Sequence, residues 1–197
     1  MLTKSDLVSK YGKLRKRWEE VSGKNYQKVN KRLMNAVNAI NAIDDRPDDT
    51  LLDIGCNNGL LSVVASYKFG SVVGIDTKKD VVQKAKITAK VFGRSNCKFK
   101  AMKLSDYFAA GNHDGDGVTG VLACQVLYHL HEDDVICLLK LLEKSRVVIL
   151  GTRPNQGHSN NKRGLYTIQS VSDIIPTRFS TVRVTAKSTT WPVIYAY

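Results

Sequence analysis

The chain is short of acid. Against 30 lysines and arginines it has 18 aspartates and glutamates, a formal net charge of +12. The imbalance concentrates in residues 4–32 and 78–103, and in the second stretch Asp80 is the only acid beside nine basic residues. Such a balance suits a polyanionic partner, because cations that neutralise phosphates release condensed counterions. The alternative is simply a well-solvated surface. Cysteine is also scarce. Cys56, Cys97, Cys124 and Cys137 form no CxxC pair and no zinc-like spacing with the four histidines. That argues against a disulfide scaffold or a zinc module and suits a reducing, cytoplasmic setting. No apolar run approaches a membrane span, and the first residues lack the apolar core of a signal peptide. Internal repeats and low-complexity segments are absent too. What is left, 197 residues of which 43% are hydrophobic, fits a single domain with a sizeable core.

Hydrophobic spacing divides the chain into two regions. Leu7, Tyr11, Leu14, Trp18 and Val21 recur at helical steps, as do Val29, Leu33, Val37 and Ile40. They predict two amphipathic helices with basic outer faces, a helical N-terminal cap over residues 1–45. Arg46, Pro47, Asp48 and Asp49 read as a break. From 46 to 197 strands and helices alternate: strands at 51–54, 71–75, 98–102, 118–123 and 146–150, helices at 60–69, 78–92 and 132–144. This order predicts an α/β fold, a mostly parallel sheet with helices on both faces. Residues 180–186 and 191–197 read as a C-terminal antiparallel hairpin turning at 187–190, with Pro192 tolerated at a strand start.

The first strand ends in "DIGCNNG", residues 53–59. In an open α/β sheet, loops beyond the carboxyl ends of the strands form the ligand site. A dinucleotide loop would read GxGxxG. This one reads DxGxNxG and has an acid at its mouth, which a pyrophosphate would not favour. The second strand ends on Asp76, a carboxylate able to accept both hydroxyls of a ribose. A ligand with a ribose and a cationic amine but no phosphate fits, and S-adenosylmethionine is such a ligand.

With "VVGIDTKK" (72–79) and "VLACQVLYHL" (121–130) following in order, residues 51–151 resemble a class I S-adenosylmethionine-dependent methyltransferase. "DIGCNNG" with "VLYH" is similar to enzymes that modify the wobble uridine of transfer RNA, and "GCNNG" to RNA-capping phosphate methyltransferases. The resemblance implies a Rossmann-like sheet and S-adenosylmethionine as cofactor, with no metal. It implies that Asp53, Gly55, Cys56, Asn57 and Gly59 surround the methionine end. Asp76 and Thr77 would hold the ribose, Lys103, Leu104 and Ser105 would lie against the adenine, and Gln125 would flank the cofactor. Many relatives have an aspartate near the position of Lys103, and here Asp106 would have to reach instead.

The acceptor is expected beside the segment after strand four. "ACQVLYH" has no proline, unlike the Asp- or Asn-Pro-Pro turn of amino-nitrogen base methylases, and no aspartate of the kind ribose methylases use. Cys124 stands where a carbon-5 methylase would put its nucleophile, but lacks the preceding proline; the alternative is a small core residue. His129 and Tyr128 are the candidate catalytic pair, His129 as a proton acceptor near neutral pH and Tyr128 to orient a planar acceptor. Helix capping is the other reading of His129, and His131 is read as a cap or surface residue. Residues 112–117 copy half of a calcium loop, but its twelfth position is Ala123, so a solvated turn is expected. The polar, basic loop 153–164, the N-terminal helices and the 78–103 segment would form a cationic rim for RNA or another nucleic acid. Methylation of a small molecule or protein side chain is the rival activity. A degenerate fold serving as a nucleic-acid-binding or assembly module is the rival of another class.

Overall fold

Apolar residues on both sides of each central strand leave the chain one economical arrangement, a sheet between two helical layers. The computed structural model describes residues 30–112, 117–152, 171–185 and 192–197. Its elements are α1 (Asn30–Ala42), β1 (Arg46–Ile54), α2 (Leu60–Ala65), β2 (Phe69–Asp76), α3 (Lys79–Val91), β3 (Cys97–Ala101), α4 (Leu104–Tyr107), β4 (Val118–Cys124), α5 (Glu132–Lys144), β5 (Val147–Gly151), β6 (Val182–Val184) and β7 (Val193–Ala196). The strands form one sheet in the order β3-β2-β1-β4-β5-β7-β6. Pairs from β3 through β5 are parallel, whereas β7 runs antiparallel to both β5 and β6. The mostly parallel sheet with its C-terminal antiparallel pair is as the sequence predicts. The last strand inserts beside β5, leaving β6 on the edge.

Alternation along each strand sorts the core into two halves. Leu51, Val72, Leu122, Ile149 and Tyr195 face one side, with α1, α2 and α3. Leu52, Val73, Val121, Leu150 and Ile194 face the other, with α4 and α5. Each fully buried aliphatic side chain of this kind contributes about 1.5–3 kcal/mol relative to exposure. α1 buries Ala36, Val37, Ala39 and Ile40 completely in the first half, so this part of the N-terminal region packs as core. The predicted helix before it, the loop 153–164, the body of the calcium-like turn and the turn at 187–190 lie outside the described residues. No helix among the described residues is long and apolar enough to cross a membrane.

Two boundaries differ from the sequence reading by more than two residues. The expected break at Arg46–Asp49 is the start of β1, with an irregular register between Arg46 and Thr50. Its polar residues are held by pairing, since buried Asp49 meets Arg46 at 3.3 Å and Arg146 at 3.5 Å. The helix expected to run to Phe69 stops at Ala65, and Phe69 opens β2, fully packed in the core.

Candidate active site

A cleft of about 730 Å³ opens at the carboxyl ends of β1, β2 and β4, where the strand order reverses. Of the residues expected to hold a cofactor, it brings together Gly55, Asn57, Asp76, Thr77, Lys103, Leu104 and Gln125. The two candidate catalytic residues, Tyr128 and His129, line the same cleft. Asp53, Cys56, Gly59 and Ser105 stand behind it rather than in its lining.

The β1 loop is tight for internal reasons as well as open ones. Gly55 and Cys56 both donate their N–H to the Ile75 carbonyl at 2.9 Å, fastening the loop to β2. Gly55 has φ +71°, and a Cβ there would lie 2.6 Å from Val126 Cγ2. Gly59, at φ +76°, caps α2, and its Cβ would lie 2.9 Å from Ala85 of α3. Left-handed backbone with no room for a side chain requires glycine at both positions. Asn57 is also left-handed, at φ 49°. The short residues of this loop therefore serve a packed corner at Gly59 and a half-buried backbone edge lining the cleft at Gly55.

Asp76 joins the two loops. Its Oδ2 accepts the Asn57 N–H and its Oδ1 the Lys78 N–H, each at 3.1 Å. Each oxygen keeps a lone pair for a further donor from the cleft. Asp53 is buried instead, accepting the Ser62 hydroxyl at 2.5 Å. Burial pushes its carboxyl up to about 7; the Ser62 hydrogen bond opposes this rise, and the Asp76 charge adds to it. Ser105 donates its N–H to buried Asp134 at 2.9 Å, tying the start of α4 to α5. Asp106 turns back to the Lys103 N–H as an N-terminal cap of α4 and does not line the cleft.

After β4 the backbone turns left-handed at Gln125, φ 64°. Gln125 Nε2 donates to the Thr152 carbonyl at 3.0 Å, while its buried Oε1 has no partner among the described residues. A short 3-10 turn, Leu127–His129, then presents Tyr128 and His129, their ring centroids 4.3 Å apart. Tyr128 is mostly buried and His129 exposed. His131 occupies the N-cap of α5 and also borders the cleft. Cys124 lies outside the cleft lining, and burial drives its thiol far above the usual range, which favours the core reading over a nucleophile. Sequence reasoning missed Met102, Val126 and Asp134. The first two are apolar loop residues with no pattern, and Asp134 reads as one of three acids opening a helix.

The family model for the methyltransferase domain matches residues 45–176. No curated protein matches the sequence. Solved structures share the fold at low identity. The chain is similar to the magnesium protoporphyrin IX methyltransferase ChlM from Synechocystis PCC 6803 with bound SAM, at TM-score 0.60 and 17% identity, covering 92% of this chain and 89% of that one. A DhpI–SAH complex gives TM-score 0.65 and 12% identity over 97% and 96% of the two chains. EvdMO1 gives TM-score 0.58 and 15% identity over 82% of this chain, which spans 40% of the EvdMO1 length.

Proposed function

The chain belongs to the methyltransferase-domain family, and on that premise we propose that it transfers a methyl group from S-adenosylmethionine to a nucleic acid, RNA being the favoured acceptor. The observation that carries the cofactor reading is the convergence on one cleft of the left-handed Gly55–Asn57 loop, the Asp76 carboxylate and the post-β4 turn. The residues fit the ligand. Asp76 has acceptor capacity left for ribose hydroxyls, and the orphaned Gln125 Oε1 can take a donor such as an ammonium. When bound, S-adenosylmethionine supplies a methyl carbon on a cationic sulfur, open to in-line displacement by an acceptor atom.

The protein's part is then mostly alignment and exclusion of water. The Gly55 backbone and Asp76 fix one end of the cleft, and Tyr128 offers an aromatic edge for a planar acceptor. His129 takes a proton from an acceptor that must lose one. RNA is supported by the net charge of +12 and by Lys78 and Lys103 at the cleft itself. A second reading, methylation of a small molecule, draws on the cleft volume, which is in the range of small-ligand pockets.

Incubation with labelled S-adenosylmethionine and separate RNA, DNA, protein and metabolite fractions tests the proposal. Label is expected in RNA, with His129→Ala slowing its transfer more than it weakens cofactor binding. Label in metabolite or protein alone would overturn the acceptor, and no cofactor binding by calorimetry would point to a degenerate binding module.

A further inference from the structure

α3 begins at the cleft and ends at a second depression. Lys78 and Val81 line the cleft, and thirteen residues span from there to Val91, about 20 Å of helix. A groove of about 630 Å³ lies between the last turns of α3 and the edge strand β3. Lys86, Lys90, Arg94 and Lys98 surround it, Phe99 forms part of its floor, and no acid lines it. Arg94 is already fixed, its Nε donating to Ser66 Oγ at 2.8 Å and its guanidinium lying 4.0 Å over the Tyr67 ring. Its charge is therefore positioned before any ligand arrives.

The two depressions are connected. Lys79, Gln83, Lys86 and Lys90 fall at i, i+4, i+7 and i+11, a single stripe along α3, and all four are exposed. Asp80, the only acid on the helix, stands outside the stripe beside Lys84, 3.8 Å away. Ile87, 53% exposed, flanks the stripe with apolar surface.

We propose that single-stranded RNA, with its acceptor nucleotide in the cleft, lays its phosphates along the Lys79–Lys86–Lys90 stripe and into the Lys98 groove. The inference rests on the RNA reading above and assigns its path. A single row of cations matches one phosphate backbone rather than the two of a duplex. The adjacent apolar surface suits unpaired bases, and sequence-specific RNA recognition mostly targets unpaired strands.

The test uses the full chain and a fluorescent, unstructured oligoribonucleotide, with affinity measured across a salt series. Each phosphate-neutralising cation adds about 0.7 to the log–log salt slope for a single strand, so Lys86→Ala, Lys90→Ala and Lys98→Ala together should lower that slope by about 2. Lys84→Ala, off the stripe, should change it far less, and cofactor affinity should be unaltered in the triple variant. Wild-type binding with an unchanged slope in the triple variant overturns the path and leaves the RNA reading standing. Absence of oligoribonucleotide binding by the wild type overturns both. Equal competition by polyglutamate of matched charge would reassign the stripe to an acidic protein partner.

Discussion

Burying a carboxyl at the end of β1 makes stability depend on pH in an unusual direction. Asp53 titrates at about 7 in the folded chain against 3.8 for a free carboxyl, chiefly because burial disfavours its charge. Between those values the unfolded chain has lost this proton and the folded chain retains it. The folded state binds more protons, so the Asp53 contribution to stability is present below 3.8 and is lost as pH rises to about 7. Asp53→Asn, which cannot ionise, should therefore gain stability relative to wild type as pH rises through that window. Urea unfolding at a series of pH values measures the difference, and a difference constant with pH would mean that Asp53 ionises as freely as in the unfolded chain. The same residue marks a limit of sequence reading. Its type and its place at a strand end were legible, but its direction was not. β1 is buried on both faces, so alternation gives no polar side to point an acid towards, and Asp53 turns to Ser62 behind the loop. Asp76, at a strand end with a loop on either side, was legible because its surroundings leave it in the cleft.

Elements with a full period were read to within a residue or two. α3 and α5 repeat their buried positions over more than three turns, and β2, β4 and β5 each hold a run of four or more consecutive buried residues. α4 and the Leu127–His129 turn are about one turn long, too short for a hydrophobic period to show, although both contribute to the walls of the cleft. The start of β1 was hidden because ion pairs, rather than apolar side chains, hold it. The loop between β1 and α2 was legible as glycine-dependent, but its reason required the third dimension, since Gly59 meets α3 rather than a ligand. Gly59→Ala should cost on the order of 1–3 kcal/mol, from left-handed strain together with a 2.9 Å approach to Ala85. In a double-mutant cycle with Ala85→Gly, the paired variant should lose less than the sum of the single losses, because only the steric clash is relieved. Strict additivity would place the cost in the backbone strain and the Phe99 ring, whose Cζ would lie 3.0 Å from the same Cβ, rather than in the Ala85 methyl.

At the scale of the molecule, one ligand would touch most of the sheet's active edge. The cleft takes residues from the ends of β1, β2 and β4 and from the segments leading into α3, α4 and α5, including Asp134 of the α5 first turn. A molecule seated there bridges elements from both helical layers, and it can do so only in the folded chain. S-adenosylmethionine at 100 times its dissociation constant should therefore add about 2.7 kcal/mol to unfolding. That is a rise of several degrees in Tm for a domain of about 200 residues. Asp76→Ala removes a charged acceptor whose hydrogen bonds are worth about 1.5–3 kcal/mol, roughly tenfold to hundredfold in affinity. It also releases the Asn57 and Lys78 amides that the carboxylate holds. Each protein must accordingly be compared with its own ligand-free form. At the same ligand concentration the variant's stabilisation should shrink to a fraction of the wild-type value, read by thermal or urea unfolding. An equal shift in both proteins would place the ligand's anchor away from Asp76, and with it the assignment of the β2 end as the ribose-holding corner would fall.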